Sequence, residues 1–88
     1  SPVKRIGRGR FVRNVMIAVG NSDDQSLLPA VLDRLGDDDA MVRGAAIWAL
    51  SRLAPELART RAKPGLETEC DPEVAAEWRV VLSANGTG

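Results

Sequence analysis

The feature that most constrains this chain is an internal repeat. Displacing the sequence by 32 places lays Asp39, Val42, Ala46, Ala49 and Leu50 on Asp71, Val74, Trp78, Val81 and Leu82. A displacement of 31 lays Phe11, Val15, Ala18 and Val19 on the set that begins at Val42. The three- and four-residue steps within each set are those of one helix face. Two other apolar stripes fall between these three segments: Leu27, Leu28, Val31, Leu32 and Leu35, then Leu57, Ala58, Ala62 and Leu66. The order is therefore B, A, B, A, B. A unit of two helices in just over 30 residues, written Asp-x-x-Val-Arg-x-x-Ala-x-x-Ala-Leu over Asp39 to Leu50, points to an all-α fold, a short α-solenoid of HEAT-like repeats with about five helices. A plain five-helix bundle is the alternative, disfavoured because the Asp-to-Leu spacing recurs in register.

Local signals set the expected boundaries. The first helix is placed near 9–19 with Gly20 as its stop, and the second begins from an N-cap at Ser22, Asp23 or Asp24 and stops at Gly36. Pro29 falls in the first turns, where a missing N–H costs little. Asp37 to Asp39 form an acidic turn that caps a third helix near 40–53. Pro55 opens a fourth helix, which Pro64 and Gly65 are expected to kink or end. Asp71 then Pro72 start a fifth, which stops at Asn85–Gly86. We divide the chain into a basic linker at 1–8, a helical repeat domain at 9–84 and a frayed tail at 85–88.

Eighty-eight residues leave room for one small core. The longest uncharged apolar run, Gly44 to Leu50, is far short of the roughly 20 residues that span a bilayer, so no membrane partner is expected. The chain has no His and no Tyr, and Cys70 is its single cysteine. An internal disulfide is therefore impossible, a clustered metal site is not expected, and a self-contained enzyme is a poor fit to so few acid–base and nucleophilic groups.

The net charge of zero hides an asymmetry. Lys4, Arg5, Arg8, Arg10 and Arg13 put five positive charges and no acid into residues 1–13, leaving seven positive and 12 negative charges for the rest. A basic end on an acidic body suggests nucleic acid as a partner; a solvated arm is the alternative.

One stretch is more specific than a generic basic helix: Ser1-Pro2-Val3-Lys4-Arg5, then Arg10-Phe11-Val12-Arg13-Asn14, then Ala18-Val19-Gly20-Asn21. It resembles the linker and first helix of the C-terminal HEAT-like domain of the epoxyqueuosine reductase family. Val42-Arg43-Gly44-Ala45-Ala46-Ile47-Trp48-Ala49-Leu50 is similar to a second segment of that family, with Ala45 where the family often has His. The likeness covers residues 1 to about 53. It implies membership of a cytoplasmic oxidoreductase that reduces epoxyqueuosine to queuosine at the tRNA wobble position. In that family 4Fe-4S clusters and cobalamin do the chemistry in upstream domains, so no cofactor is expected in this chain. The implied role here is to help hold the tRNA anticodon stem-loop, beside an upstream catalytic domain of the same protein. The first helix lacks an A-type partner, so an upstream continuation of the chain is expected.

The residues proposed to touch RNA are Lys4, Arg5, Arg8, Arg10, Arg13, Asn14 and Arg43. If the first five all met phosphates, binding would carry a single-strand salt slope of roughly −3.5. Each has a structural alternative. The arm can dock on the acidic body or on the missing domain, Asn14 can bond a loop backbone, and Arg43 can pair with a turn aspartate such as Asp39 or with one in an adjacent repeat. Trp48 and Trp78 lie on the repeated apolar face, where core packing is favoured over base stacking. A protein-interaction scaffold with no RNA role is the rival function.

Overall fold

The computed structural model describes residues 2–86, with side chains for residues 7–83. Five α-helices follow in order: α1 (Pro2–Ser22), α2 (Leu28–Arg34), α3 (Ala40–Leu53), α4 (Pro55–Thr68) and α5 (Pro72–Gly86), with a 3-10 turn at Gln25–Leu27 before α2. No strand occurs among the described residues.

The helices stand in two layers. α3 is central, packed on α1 along one side and on α5 along the other, and these three B helices form the inner layer. α2 packs against α3, and α4 lies against α3 and α5, making the outer layer. The core runs through Val31 of α2, Ala46, Ile47, Ala49 and Leu50 of α3, Ala58 and Ala62 of α4, and Val74 and Trp78 of α5. Apolar faces thus meet across neighbouring repeats, as a solenoid requires.

The repeat positions show what each helix is given to pack against. Val42, Ala46 and Ala49 of α3 are fully buried, and Val74, Trp78 and Val81 of α5 are nearly so. Their counterparts on α1 are bare: Phe11 is 69% exposed, Val15 38% exposed, and Ala18 exposed. α1 carries the same stripe without an outer helix to cover it. Only the fourth repeat position, Val19, is buried, together with Gly9, Met16 and Gly20, where α1 sits on α3.

Three boundaries differ from the sequence reading. α1 starts at Pro2 rather than near residue 9, so the basic segment continues the helix. It also runs through Gly20, which is needed for close approach: a Cβ there would stand 2.5 Å from the Trp48 ring and 3.2 Å from the Ala49 backbone. The left-handed residue that ends α1 is Asp23, at φ 61°, a conformation a short polar side chain tolerates. Gly36 has no positive φ either. Finally, α4 passes through Pro64 without ending. Pro64 lies on the exposed side, while Ala58 and Ala62 are buried and Gly65 sits beneath Trp78, so packing on α5 outweighs the lost N–H bond. α5 includes Asn85 and Gly86, and residues 87–88 of the expected tail lie outside the described residues.

The caps of α3 and α5 are where the sequence placed them, whereas α2 starts from Leu27 with no side-chain cap and the expected Asp24 caps the 3-10 turn ahead of it. Asp24 accepts from the Ser26 N–H, Asp39 caps α3 through the Met41 N–H at 2.9 Å, and Asp71 caps α5 through the N–H groups of Glu73 and Val74. Each such cap contributes about 1 kcal/mol.

Candidate nucleic-acid interface

The acidic turn gathers arginines from two helices. Asp37 is buried, and Arg8 of α1 forks onto it, Nη1 to Oδ1 at 3.1 Å and Nη2 to Oδ2 at 2.7 Å. Arg34 adds a bond at 3.0 Å, and the Asp39 N–H donates to the same carboxylate at 2.9 Å. The Arg8 hydrogen bonds, helped by the Asp39 N–H, hold the Asp37 carboxyl down at about 2 against an ordinary 3.8.

Arg43 makes the corresponding contact one repeat on, from a position one helical turn later in its helix than Arg8. Nε and Nη2 donate to the two carboxylate oxygens of Glu69 at 3.0 and 2.8 Å, and Nη1 donates to the carbonyls of Asp37 and Asp38. Asp39 is not its partner. The Glu69 carboxyl is lowered by the Arg43 hydrogen bonds. Glu69 also accepts from the Asp71 N–H at 3.0 Å, so Arg43 links both inter-repeat turns. Sequence reasoning overlooked Glu69, although the 32-residue displacement lays Asp37 on it.

The structure separates the candidate RNA contacts. At about 100° per residue around an α-helix, Arg8 and Arg10 point roughly 160° apart. Arg8 is engaged with Asp37, while Arg10, Arg13 and Asn14 fall within an arc of roughly 100° on the opposite flank of α1. Arg10 and Asn14 are exposed. Arg13 is half-buried, its Nη1 4.0 Å from the Met41 sulfur and its Nε buried with no hydrogen-bond partner. Lys4 and Arg5 lie on the backbone of α1, and their side chains lie outside the described residues.

That flank borders an open groove of about 520 Å³ between α1, α3 and α5, with Arg13 on one wall, Met41, Ala45 and Trp48 on the floor, and Glu73 and Glu77 on the far wall. Ala45 is thus a groove-lining residue. Trp78 is a core residue, whereas Trp48 is half-buried, with Arg52 over its ring at 5.6 Å.

No group of three His, Cys, Asp or Glu side chains able to hold a metal ion occurs among the described residues, and Cys70 is exposed and alone. These residues do not fit an iron–sulfur cluster, whose ligands are clustered thiolates. No helix among the described residues is long and apolar enough to cross a membrane.

Helix pairs repeating every 31–32 residues, with a carboxylate–arginine fork at the α2–α3 turn and again at the α4–α5 turn, define an α-solenoid repeat protein. Residues 11–83 match the family model for HEAT repeats, and the chain belongs to that family. It is 38% identical over 53 residues to the epoxyqueuosine reductase of Xanthomonas campestris pv. campestris, covering 59% of this chain and 15% of that protein. It is 34% identical over 59 residues to the epoxyqueuosine reductase of Alicycliphilus denitrificans, covering 58% and 16%. It is also 31% identical over 72 residues to an "uncharacterized protein in gldA 3'region" of Geobacillus stearothermophilus, covering 81% and 33%. The chain thus spans between 15% and 33% of the length of these curated relatives. No solved structure matches it.

Proposed function

We propose that this chain is the tRNA-binding helical module of an epoxyqueuosine reductase-like protein of the cytoplasm. It holds the anticodon stem-loop while the reduction takes place in another part of the protein. The observation that carries this reading is the similarity to two epoxyqueuosine reductases, each of which this chain covers to 15–16% of its length. The arc of Arg10, Arg13 and Asn14 supports it, because two arginines one turn apart, Arg10 exposed and Arg13 half-buried, suit successive phosphates of one strand. Lys4 and Arg5 precede these residues on the same helix and join the proposed contacts, although the 100° step places them nearer Arg8 than Arg10 around its axis. Arg8 and Arg43 are assigned to holding the turns, since both are forked onto carboxylates. Cobalamin and iron–sulfur chemistry belong, on this reading, to residues outside this chain, and residues 1–8 join the module to that catalytic part.

The bare stripe of Phe11, Val15 and Ala18 favours a second reading, a scaffold that binds proteins and not RNA. The two separate in a fluorescence-anisotropy titration against a stem-loop with a GUN anticodon, a scrambled hairpin and a single strand. Preference for the stem-loop, lost with Arg10→Glu and Arg13→Glu, supports the module. Absence of binding at low salt supports the scaffold.

A further inference from the structure

The groove between α1, α3 and α5 has a chemistry of its own. Glu73 and Glu77 stand four residues apart on α5 and both line it. Among the described residues neither carboxylate makes a hydrogen bond or an ion pair, the Glu73 backbone N–H alone donating to Asp71. Two like charges at that spacing repel and weaken their own helix, so the arrangement is one that a cation would relieve. Asp71 adds a third carboxylate to the same wall, although its Oδ1 is engaged in capping α5. Across the floor the Arg13 Nε lacks an acceptor. Gly44 keeps the floor low, for a Cβ there would meet only the Glu77 side chain, at 3.8 Å.

The lining carries one guanidinium against three carboxylates. A nucleic-acid strand laid across it would bring phosphates against Glu73 and Glu77, so the far wall turns RNA back toward the α1 flank. An extended polypeptide suits the two accessible parts of the groove. A lysine or arginine side chain would reach between Glu73 and Glu77, and an adjacent apolar side chain would rest on Met41 and Trp48. At about 520 Å³ the groove is within the roughly 300–1,000 Å³ range of sites that take compact ligands. We infer that this groove docks an extended segment of a partner protein in which a lysine or arginine stands beside an apolar residue. The inference turns on Glu73, Glu77, Gly44 and Trp48 and shares only Arg13, on the opposite wall, with the RNA reading.

The test is a titration of the ¹⁵N-labelled chain with an acetylated, amidated peptide of alternating leucine and arginine, and with the same peptide carrying glutamate for arginine. The expected result is saturable binding of the arginine peptide alone, with the Trp48 indole N–H resonance moving and that of buried Trp78 staying. Glu73→Gln with Glu77→Gln weakens it by at least about tenfold, roughly 1.4 kcal/mol, at unchanged helicity. Gly44→Leu, which fills the floor, blocks it, while Arg10→Glu leaves it intact. Binding that survives both groove variants, absence of binding at millimolar peptide, or a Trp48 resonance moved by a stem-loop RNA and not by the peptide would each overturn the inference. Since Arg10→Glu acts only on the RNA reading, failure of one reading is distinct from failure of the other.

Discussion

Arg43 and Glu69, 26 residues apart in sequence, meet side-on through two parallel hydrogen bonds that tie the start of α3 to the residue closing α4. Both side chains are largely shielded from water, at 19% and 10% exposure. A fork of this kind is stronger than an exposed ion pair, because its geometry is fixed and its charges are poorly solvated. Removing one partner strands the other.

Arg43→Ala is therefore expected to cost about 2–3 kcal/mol, a fall in Tm of roughly 10–20 °C for a domain of this size. Arg43→Lys should recover little of it, since an ammonium cannot reproduce the fork while also reaching the Asp37 and Asp38 carbonyls. Thermal melts followed by far-UV circular dichroism check both.

Acid should destabilise the fold through Asp37 and Glu69. Both carboxyls are depressed in the folded state, Asp37 to about 2 from 3.8 and Glu69 below 4.5, chiefly by the hydrogen bonds from Arg8 and Arg43. The unfolded chain then binds protons first, so the stabilisation is complete above about pH 5 and is lost as pH falls toward 2. We expect a Tm lower by roughly 5–10 °C at pH 2.5 than at pH 6. Arg8→Ala should flatten that dependence while lowering the Tm at pH 6. A melt series across the range at fixed ionic strength reads both effects.

The glycines divide by what lies against them. Gly20→Ala should lose about 1–3 kcal/mol, because the new methyl meets the Trp48 ring and the Ala49 backbone. Gly65→Ala should lose a similar amount against Trp78. Gly7→Ala and Gly44→Ala, in helices with room around them, should each gain up to about 1 kcal/mol. Urea unfolding of the four variants orders them.

Much of this fold was legible because the repeat fixes both identity and face. The Asp39–Leu50 pattern gave α3 its cap and core, and the same pattern at Asp71–Leu82 did so for α5. What escaped were tertiary effects on local rules. Gly20 and Pro64 are helix breakers by propensity, yet each lies within a helix held by a neighbour: Gly20 by the approach of Trp48, Pro64 by adjacent residues packed on α5. The basic run before Phe11 has no apolar period and read as a linker, although its backbone continues α1. For the site, residue types were visible but partners were not. Arg8 and Arg10 look equivalent in sequence, and only the position of Asp37 on one flank of α1 separates them. Groove residues Glu73 and Glu77 gave no signal beyond charge, since the groove is formed by three helices from different repeats.

The central claim is that RNA meets Arg10 and Arg13 of α1 and not Arg8, which Asp37 holds. It is tested most directly by the salt dependence of stem-loop binding for the native chain, Arg10→Ala/Arg13→Ala and Arg8→Ala. Each phosphate contact contributes about 0.7 to the logarithmic slope. The double variant should flatten the slope by about 1.4, whereas Arg8→Ala, compared below its own Tm, should leave it unchanged. A slope flattened by Arg8→Ala and indifferent to Arg10 and Arg13 would contradict the account.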